Sequence, residues 1–264
     1  MPKNEEFTAS VMLGLAHGMK GLMLFSYDSF NEIKGIVSNN QPNFTKSNLW
    51  YLLKDNLIPR LKGTLGQKLV ELNYTGKYLQ YFKIGKIKSN PSLQRTQDNF
   101  LTLGFNPTQS TEMNWHCGLF SRPEHPDDKY FFLVNIYTIA GKRTINIQVK
   151  ESGQEYKNYR FRNIEGRIDT TFANQINLKL THPKGEGYLY QVAPVVKYGG
   201  MLLFSEETKN GMELTEDMII ENGAVLTING AYYSDANIII KDGRISYKNK
   251  GKIHFASNKR MIKE

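Results

Sequence analysis

Residues Ser10–Phe30, SVMLGLAHGMKGLMLFSYDSF, pass from a helical pattern of apolar residues, through His17-Gly18, into a continuous apolar run. The helix reaches back to Asn4. In NEEFTASVMLGLAHG, Asn4 is the expected N-cap, Glu5 and Glu6 sit at the positive end of the helix dipole, and Gly18 follows the last turn. Phe7, Val11, Met12, Leu15 and Ala16 recur at helical spacing and predict one buried face. Beyond the turn KGLMLFSYD reads as a strand, and its unbroken Leu22, Met23, Leu24 and Phe25 form the pattern of a parallel strand covered on both faces. Helix, glycine turn and buried strand make one α/β unit.

Asn31 to Asn48 is polar and turn-rich, as suits an excursion from the end of that strand. A second helical region follows in SNLWYLLKDNLIPRLKGTLGQKLVEL, with Ser47 as cap, Leu49, Leu52, Leu53 and Leu57 on one side, and Pro59 set to kink or restart it. The α/β part extends to about Ile84, and the polar KIKSNPSLQ marks a boundary. After it come NFLTLGFN, WHCGLFS, KYFFLVNIYT, RTINIQVK, EYKNYRFRN, IDTTFANQINLKL and GYLYQVA. These short β-branched or aromatic segments, spaced by Gly, Pro, Asn and Asp, predict an antiparallel β-sandwich. In its closing strand Tyr188, Tyr190 and Val192 share a face, and Pro194 breaks the strand or confines it to an edge.

A weak repeat ends the chain. MIIENGAVLTING and NIIIKDGRISYKNKG each place an Ile-Ile pair and a charged residue before Asn-Gly or Asp-Gly, dipeptides that supply the positive φ of tight turns. Stacked coils of a short β-solenoid or a small hairpin array both fit. The expected class is therefore α+β and mostly β, in three parts: 1–84, 85–200 and 201–264.

A chain of 264 residues with 12% aromatic side chains and 22 glycines has the size for more than one domain and favours strands over a helical bundle. The net charge of +9 raises the question of an acidic partner. The basic residues are spread along the chain, and the densest stretch, KNYRFRNIEGR at Lys157–Arg167, reads better as a solvated strand face with Tyr and Phe turned inward than as a base-stacking surface. Nucleic acid is not an expected partner. Cys117 stands alone, so no intrachain disulfide forms. The start shows no signal peptide, and Gly14, His17, Gly18 and Lys20 interrupt the first apolar run well short of a membrane span.

Little in the sequence carries chemistry. His17, His116, His125, His182 and His254 lack metal-ligand spacing, and His116 and Cys117, adjacent on a strand, point to opposite faces, so no metal site is expected. Neither G-x-S-x-G, a P-loop nor G-x-G-x-x-G is present, so no activated serine and no nucleotide cofactor are implied. Asp28 and Tyr27 stand where the first strand ends, the position that carries sites in α/β barrels. They are the candidate substrate-binding pair, against a structural reading in which Asp28 caps the next turn and Tyr27 packs at the rim.

The segment PKNEEFTASVMLGLAHGMKGLMLFSYDS resembles the last repeats of the (β/α)8 catalytic barrel of bacterial glycoside hydrolases and hydrolase-like proteins, through Ala16, Gly18, Lys20 and Gly21, the apolar strand and Tyr27 at its end. The resemblance covers about a third of the chain. It implies a terminal strand and closing helix of a TIM-type barrel, an accessory β-sandwich, a carbohydrate or polysaccharide ligand, N-terminal barrel repeats as partner, and an extracellular or cell-surface parent. It also implies that the acid and nucleophile, at the ends of the fourth and seventh barrel strands, would precede Met1. No catalytic carboxylate is carried over, and Tyr27 and Asp28 match at best a substrate-contact position. The alternative is a non-catalytic carbohydrate- or cell-surface-binding sandwich, with Trp115, Tyr156 and Tyr159 as exposed contacts.

Overall fold

The computed structural model describes residues 3–22, 37–40, 43–82, 95–105, 114–139, 141–151, 155–166 and 168–264. Helix α1 spans Asn4–Ala16, and its N-cap is Lys3, one residue before the expected Asn4. The Lys3 backbone N–H donates to the Glu6 carboxylate at 2.9 Å, so the third helical residue closes the first turn. At the other end Gly18, at φ +83°, donates to the Leu15 carbonyl and Met19 to the Gly14 carbonyl, each at 3.0 Å. This double closure needs the left-handed residue that glycine supplies. Val11, Met12, Leu15 and Ala16 are buried as the spacing predicts, with Phe7 packed at their margin.

The strand expected next cannot be followed. Met23–Phe30, with Tyr27 and Asp28, lie outside the described residues, while Leu22 is in no strand and is 37% exposed. Strands β1 (Val37–Asn40) and β2 (Asn43–Lys46) form an antiparallel hairpin. Helix α2 (Asn48–Leu52) starts on the Ser47 hydroxyl, which accepts the Trp50 N–H at 3.4 Å. One wide π turn, Leu53–Leu57, then leads into α3 (Ile58–Lys62) and α4 (Thr64–Glu71). Pro59 is the physical reason. Its ring excludes a regular i to i−4 hydrogen bond, so the helix loosens one turn ahead and restarts with proline in the first turn of α3.

These helices lie on an antiparallel sheet. No part of a TIM-type barrel is seen among the described residues. In chain order the strands are β3 (Asn73–Phe82), β4 (Leu101–Leu103), β5 (Asn114–Ser121), β6 (Lys129–Asn135), β7 (Arg143–Lys150), β8 (Tyr159–Asn163), β9 (Asp169–Phe172), β10 (Gln175–His182) and β11 (Gly187–Pro194). Six of them pair in the order β3-β5-β6-β11-β8-β9, and β10-β7-β4 form a smaller sheet packed on one face. The six-stranded sheet therefore takes its edge strand β3 from before Ile84.

Alternation along β6 shows how both faces are used. Phe131 and Leu133 pack toward the smaller sheet, while Tyr130, Phe132 and Val134 pack toward α1 and α4. A strand buried on both faces reads as a continuous apolar run even in an antiparallel sheet. Close approach fixes the helix. A Cβ on Gly118 of β5 would stand 1.6 Å from the Ala16 carbonyl oxygen.

Pro194 ends the central strand β11, and α5 (Val195–Tyr198) turns the chain into a β-solenoid of about three coils. Its strands are β12 (Gly200–Leu202), β13 (Glu206–Glu207), β14 (Met212–Leu214), β15 (Met218–Ile220), β16 (Val225–Ser234), β17 (Ile238–Ile240), β18 (Arg244–Phe255) and β19 (Met261–Lys263). All pair in parallel. The repeated Ile-Ile pair is one rung, with Ile219 beside Ile239 and Ile220 beside Ile240. Asn222 and Gly223 have the expected positive φ, at 57° and 67°. Gly243 does not, contrary to the turn expectation. It is glycine because a Cβ would meet the Ala224 carbonyl oxygen at 2.6 Å and Ile220 Cγ2 at 2.3 Å. Leu226, Ile228, Tyr232 and Ile238 of the solenoid share one continuous core with Val195, Val196 and the sandwich interior.

Candidate functional site

Asn158 and Glu206 are two of the polar residues that join sandwich to solenoid. The buried Glu206 carboxylate accepts the Lys157 N–H at 3.0 Å, the Asn158 N–H at 3.1 Å and the Asn158 side-chain amide at 2.7 Å. Asn158 in turn accepts the Leu203 and Phe204 N–H groups, at 3.0 and 2.9 Å, and donates to the Phe204 carbonyl at 2.7 Å. Burial raises the Glu206 pKa, and the donors around it oppose that rise.

At the same junction a cleft of about 410 Å³ lies between the Arg122–Asp128 turn, the segment before β8, α5 and the turn between β13 and β14. Glu124, His125, Glu155, Lys197, Lys209 and Glu213 supply charge or hydrogen-bonding groups along its walls. Tyr156 also lines it. Lys197 and Lys209 lie 5.7 and 5.8 Å from its ring centroid, and their ammonium groups pair with Asp127 and Glu155 respectively. Tyr198 packs edge-on to His125 with centroids 5.9 Å apart.

A second cavity of about 300 Å³ adjoins the first and shares Glu155 and Tyr156 with it. On its wall Glu151, at the end of the described part of β7's exit, is buried and binds Lys129 through Oε2 at 2.6 Å. Its Oε1 has no hydrogen-bond partner among the described residues. Burial raises the Glu151 pKa, and Lys129 works against it. A buried carboxylate oxygen left without a donor costs about 1–3 kcal/mol or more, and a hydroxyl placed in the cavity would satisfy it.

The sequence candidates fall elsewhere. Tyr27 and Asp28 lie outside the described residues. Trp115 is fully buried and packs on His182 with centroids 5.0 Å apart, and Tyr159 is buried against Phe172, so neither is the exposed contact expected of a binding sandwich. Tyr156 reaches the cleft, yet its ring face is covered by the two lysines. In KNYRFRNIEGR, Tyr159 and Phe161 do turn inward. The opposite face is covered, not solvated. Arg162 forms a two-point pair with Glu216 at 2.6 Å, and Arg160 bridges Glu216 at 2.8 Å and Asp169 at 2.6 Å.

No group of three or more His, Cys, Asp and Glu is placed to share a metal ion among the described residues. His116 and Cys117 point to opposite faces as expected, Cys117 into the sandwich core and His116 toward α1. There His116 packs on His17 with centroids 4.5 Å apart and shares a hydrogen bond with Gln80 at 3.2 Å. Burial, and secondarily the charge of His17, lower the His116 pKa to about 4. An unfolded histidine takes its proton near pH 6.5. Stability from this site is therefore complete above about pH 6.5 and is lost as pH falls toward 4, by about 1–2 kcal/mol after allowance for solvent. Urea titrations from pH 7.5 to 4.5 should show His116→Gln losing less stability than the parent. Equal slopes would contradict the assignment.

Among the described residues no helix is long and apolar enough to cross a membrane. Comparison with protein-family models, curated proteins and solved structures gave no match.

Proposed function

We propose that the chain is the substrate-holding part of a carbohydrate-active, glycoside hydrolase-like protein, and that the paired cavities around Tyr156 and Glu151 receive a saccharide. The observation that carries this reading is the unpartnered Glu151 oxygen on the wall of a cavity. A carboxylate oxygen accepts from a sugar hydroxyl, and the adjoining cleft offers both donors and acceptors in Lys197, Lys209, Asn210, Glu213 and Thr215. The family assignment rests on the resemblance of residues 2–29, as does an extracellular or cell-surface setting and a role in completing a barrel. An apolar hollow of about 310 Å³ lies beside Leu22, between Leu15, Leu53, Leu61 and Val70. This reading assigns no catalytic residue in the chain.

Calorimetric titration with a panel of soluble oligosaccharides tests it. The parent should bind at least one, and Glu151→Ala should bind it about tenfold more weakly, the loss of one charge-assisted hydrogen bond. The melting temperature should stay within about 3 °C, because Lys129 is exposed enough to return to water. No binding by any of the panel, or equal binding by the variant, would overturn the reading.

A further inference from the structure

The chain's positive charge is concentrated at one end of the solenoid. Residues 241–264 hold eight Lys and Arg against two Asp and Glu, six of the nine net charges of the whole chain. Lys241 pairs with Glu221 and Lys248 with Glu207. Arg244, Lys250, Lys252, Lys259, Arg260 and Lys263 make no ion pair among the described residues.

The arrangement is linear and leads from the cleft. Glu213, on the cleft wall, stands in register with Tyr233 of β16, and Tyr233 with His254 of β18. Tyr233 is half exposed and stacks on His254 with centroids 5.1 Å apart. Two strand spacings make this row about 10 Å long. From His254 the same face of β18 continues to Lys252, about 7 Å away along the strand. At the bulge, Asn249 and Lys250 have φ of 49° and 57°. Asparagine tolerates that conformation, whereas lysine there is an uncommon choice over glycine.

We propose that this surface binds a linear acidic polysaccharide, a polymer of uronic-acid type, as the continuation of the saccharide site in the cleft. The proposal rests on the reading of that cleft given above. Lys250 and Lys252 supply cations for the carboxylates of such a polymer, and Thr227 with Ser246 and Asn229 with Asn249, each bonded to its neighbour, keep further lone pairs and N–H groups for sugar hydroxyls. Glu207 and Glu213 lie within the same face. They accept from hydroxyls, and it is the continuity of this face with the saccharide cleft through Glu213 that favours a polysaccharide over nucleic acid.

The test is binding of the full chain to polygalacturonate, neutral dextran and single-stranded poly-dT at two salt concentrations. The parent should bind polygalacturonate most tightly and lose affinity as salt rises. Lys250→Gly with Lys252→Gln should weaken that binding about five- to tenfold, the loss of two surface cations. Lys250→Gly also relieves a left-handed lysine, so the variant should melt no lower than the parent. Equal or better binding of poly-dT, or no effect of the double variant, overturns the proposal. If the variant instead self-associates with its polygalacturonate affinity unchanged, the lysines serve to keep the open edge of β18 unpaired, which also overturns it. Neutral saccharides bound in the cleft, with no preference for the acidic polymer, would sink this inference alone. If no saccharide binds at all, the cleft reading falls with it.

Discussion

Asn158→Ala should lower the melting temperature by roughly 10 °C, the product of about 3–5 kcal/mol and 2–4 °C per kcal/mol for a chain of this size. Asn158 is fully buried, and its side chain makes four hydrogen bonds across the junction of sandwich and solenoid. Alanine leaves the Leu203 and Phe204 N–H groups and the Phe204 carbonyl without those partners, and removes one donor from a buried carboxylate. The neighbouring Lys157 bonds Glu206 through its backbone N–H and adds only a weaker charge interaction, so Lys157→Ala should cost far less than Asn158→Ala. A drop of less than about 3 °C would mean that the solenoid is held by the shared apolar core and the Arg160 and Arg162 pairs with Glu216, without need of Asn158.

Gly118→Ala should cost about 3 kcal/mol or more, measured by urea unfolding. The new methyl would sit 1.6 Å from the Ala16 carbonyl oxygen and 2.7 Å from the carbonyl carbon, so no side-chain rotation relieves the overlap. Helix α1 must lift from β5, opening the cluster that holds Met12, Leu15, Phe132 and Leu189. Gly21 is the matched control. A Cβ there meets nothing within 4 Å, and Gly21→Ala should leave stability nearly unchanged. Similar losses for both substitutions would remove the close helix–sheet approach as the cause.

Local features of the fold were legible because they are written in periods of a few residues. The α1 face, the Ser47 cap, the break at Pro59 and the inward row Tyr188, Tyr190 and Val192 depend on neighbours within a turn or two. β3 was harder. Its alternation is interrupted where the register shifts between Tyr74 and Tyr78, around Gly76 at φ +75°, so NYTGKYLQYF does not read as a strand on alternation alone. The repeat at the end was visible as an Ile-Ile period, but Asn-Gly and Asp-Gly serve hairpins and solenoid corners alike. Parallel pairing of residues about twenty apart decided it, and that is a tertiary fact.

The cleft was not legible at all. Its walls come from four segments between Glu124 and Thr215, none with a spacing that marks chemistry. Glu151 looks in sequence like the polar residue that ends a strand. Only the cavity beside it and the missing donor at its Oε1 set it apart. The same holds for Arg160 and Arg162, whose stretch reads as a solvated strand face although Glu216 covers them from across the junction.

The measurement that bears most directly on the saccharide site is amide hydrogen exchange of the whole chain with and without a bound oligosaccharide. Protection should appear at 124–127, 155–156, 197–198 and 209–215 in the parent and be lost in Glu151→Ala. Protection confined to other elements, or unchanged in the variant, would contradict the account.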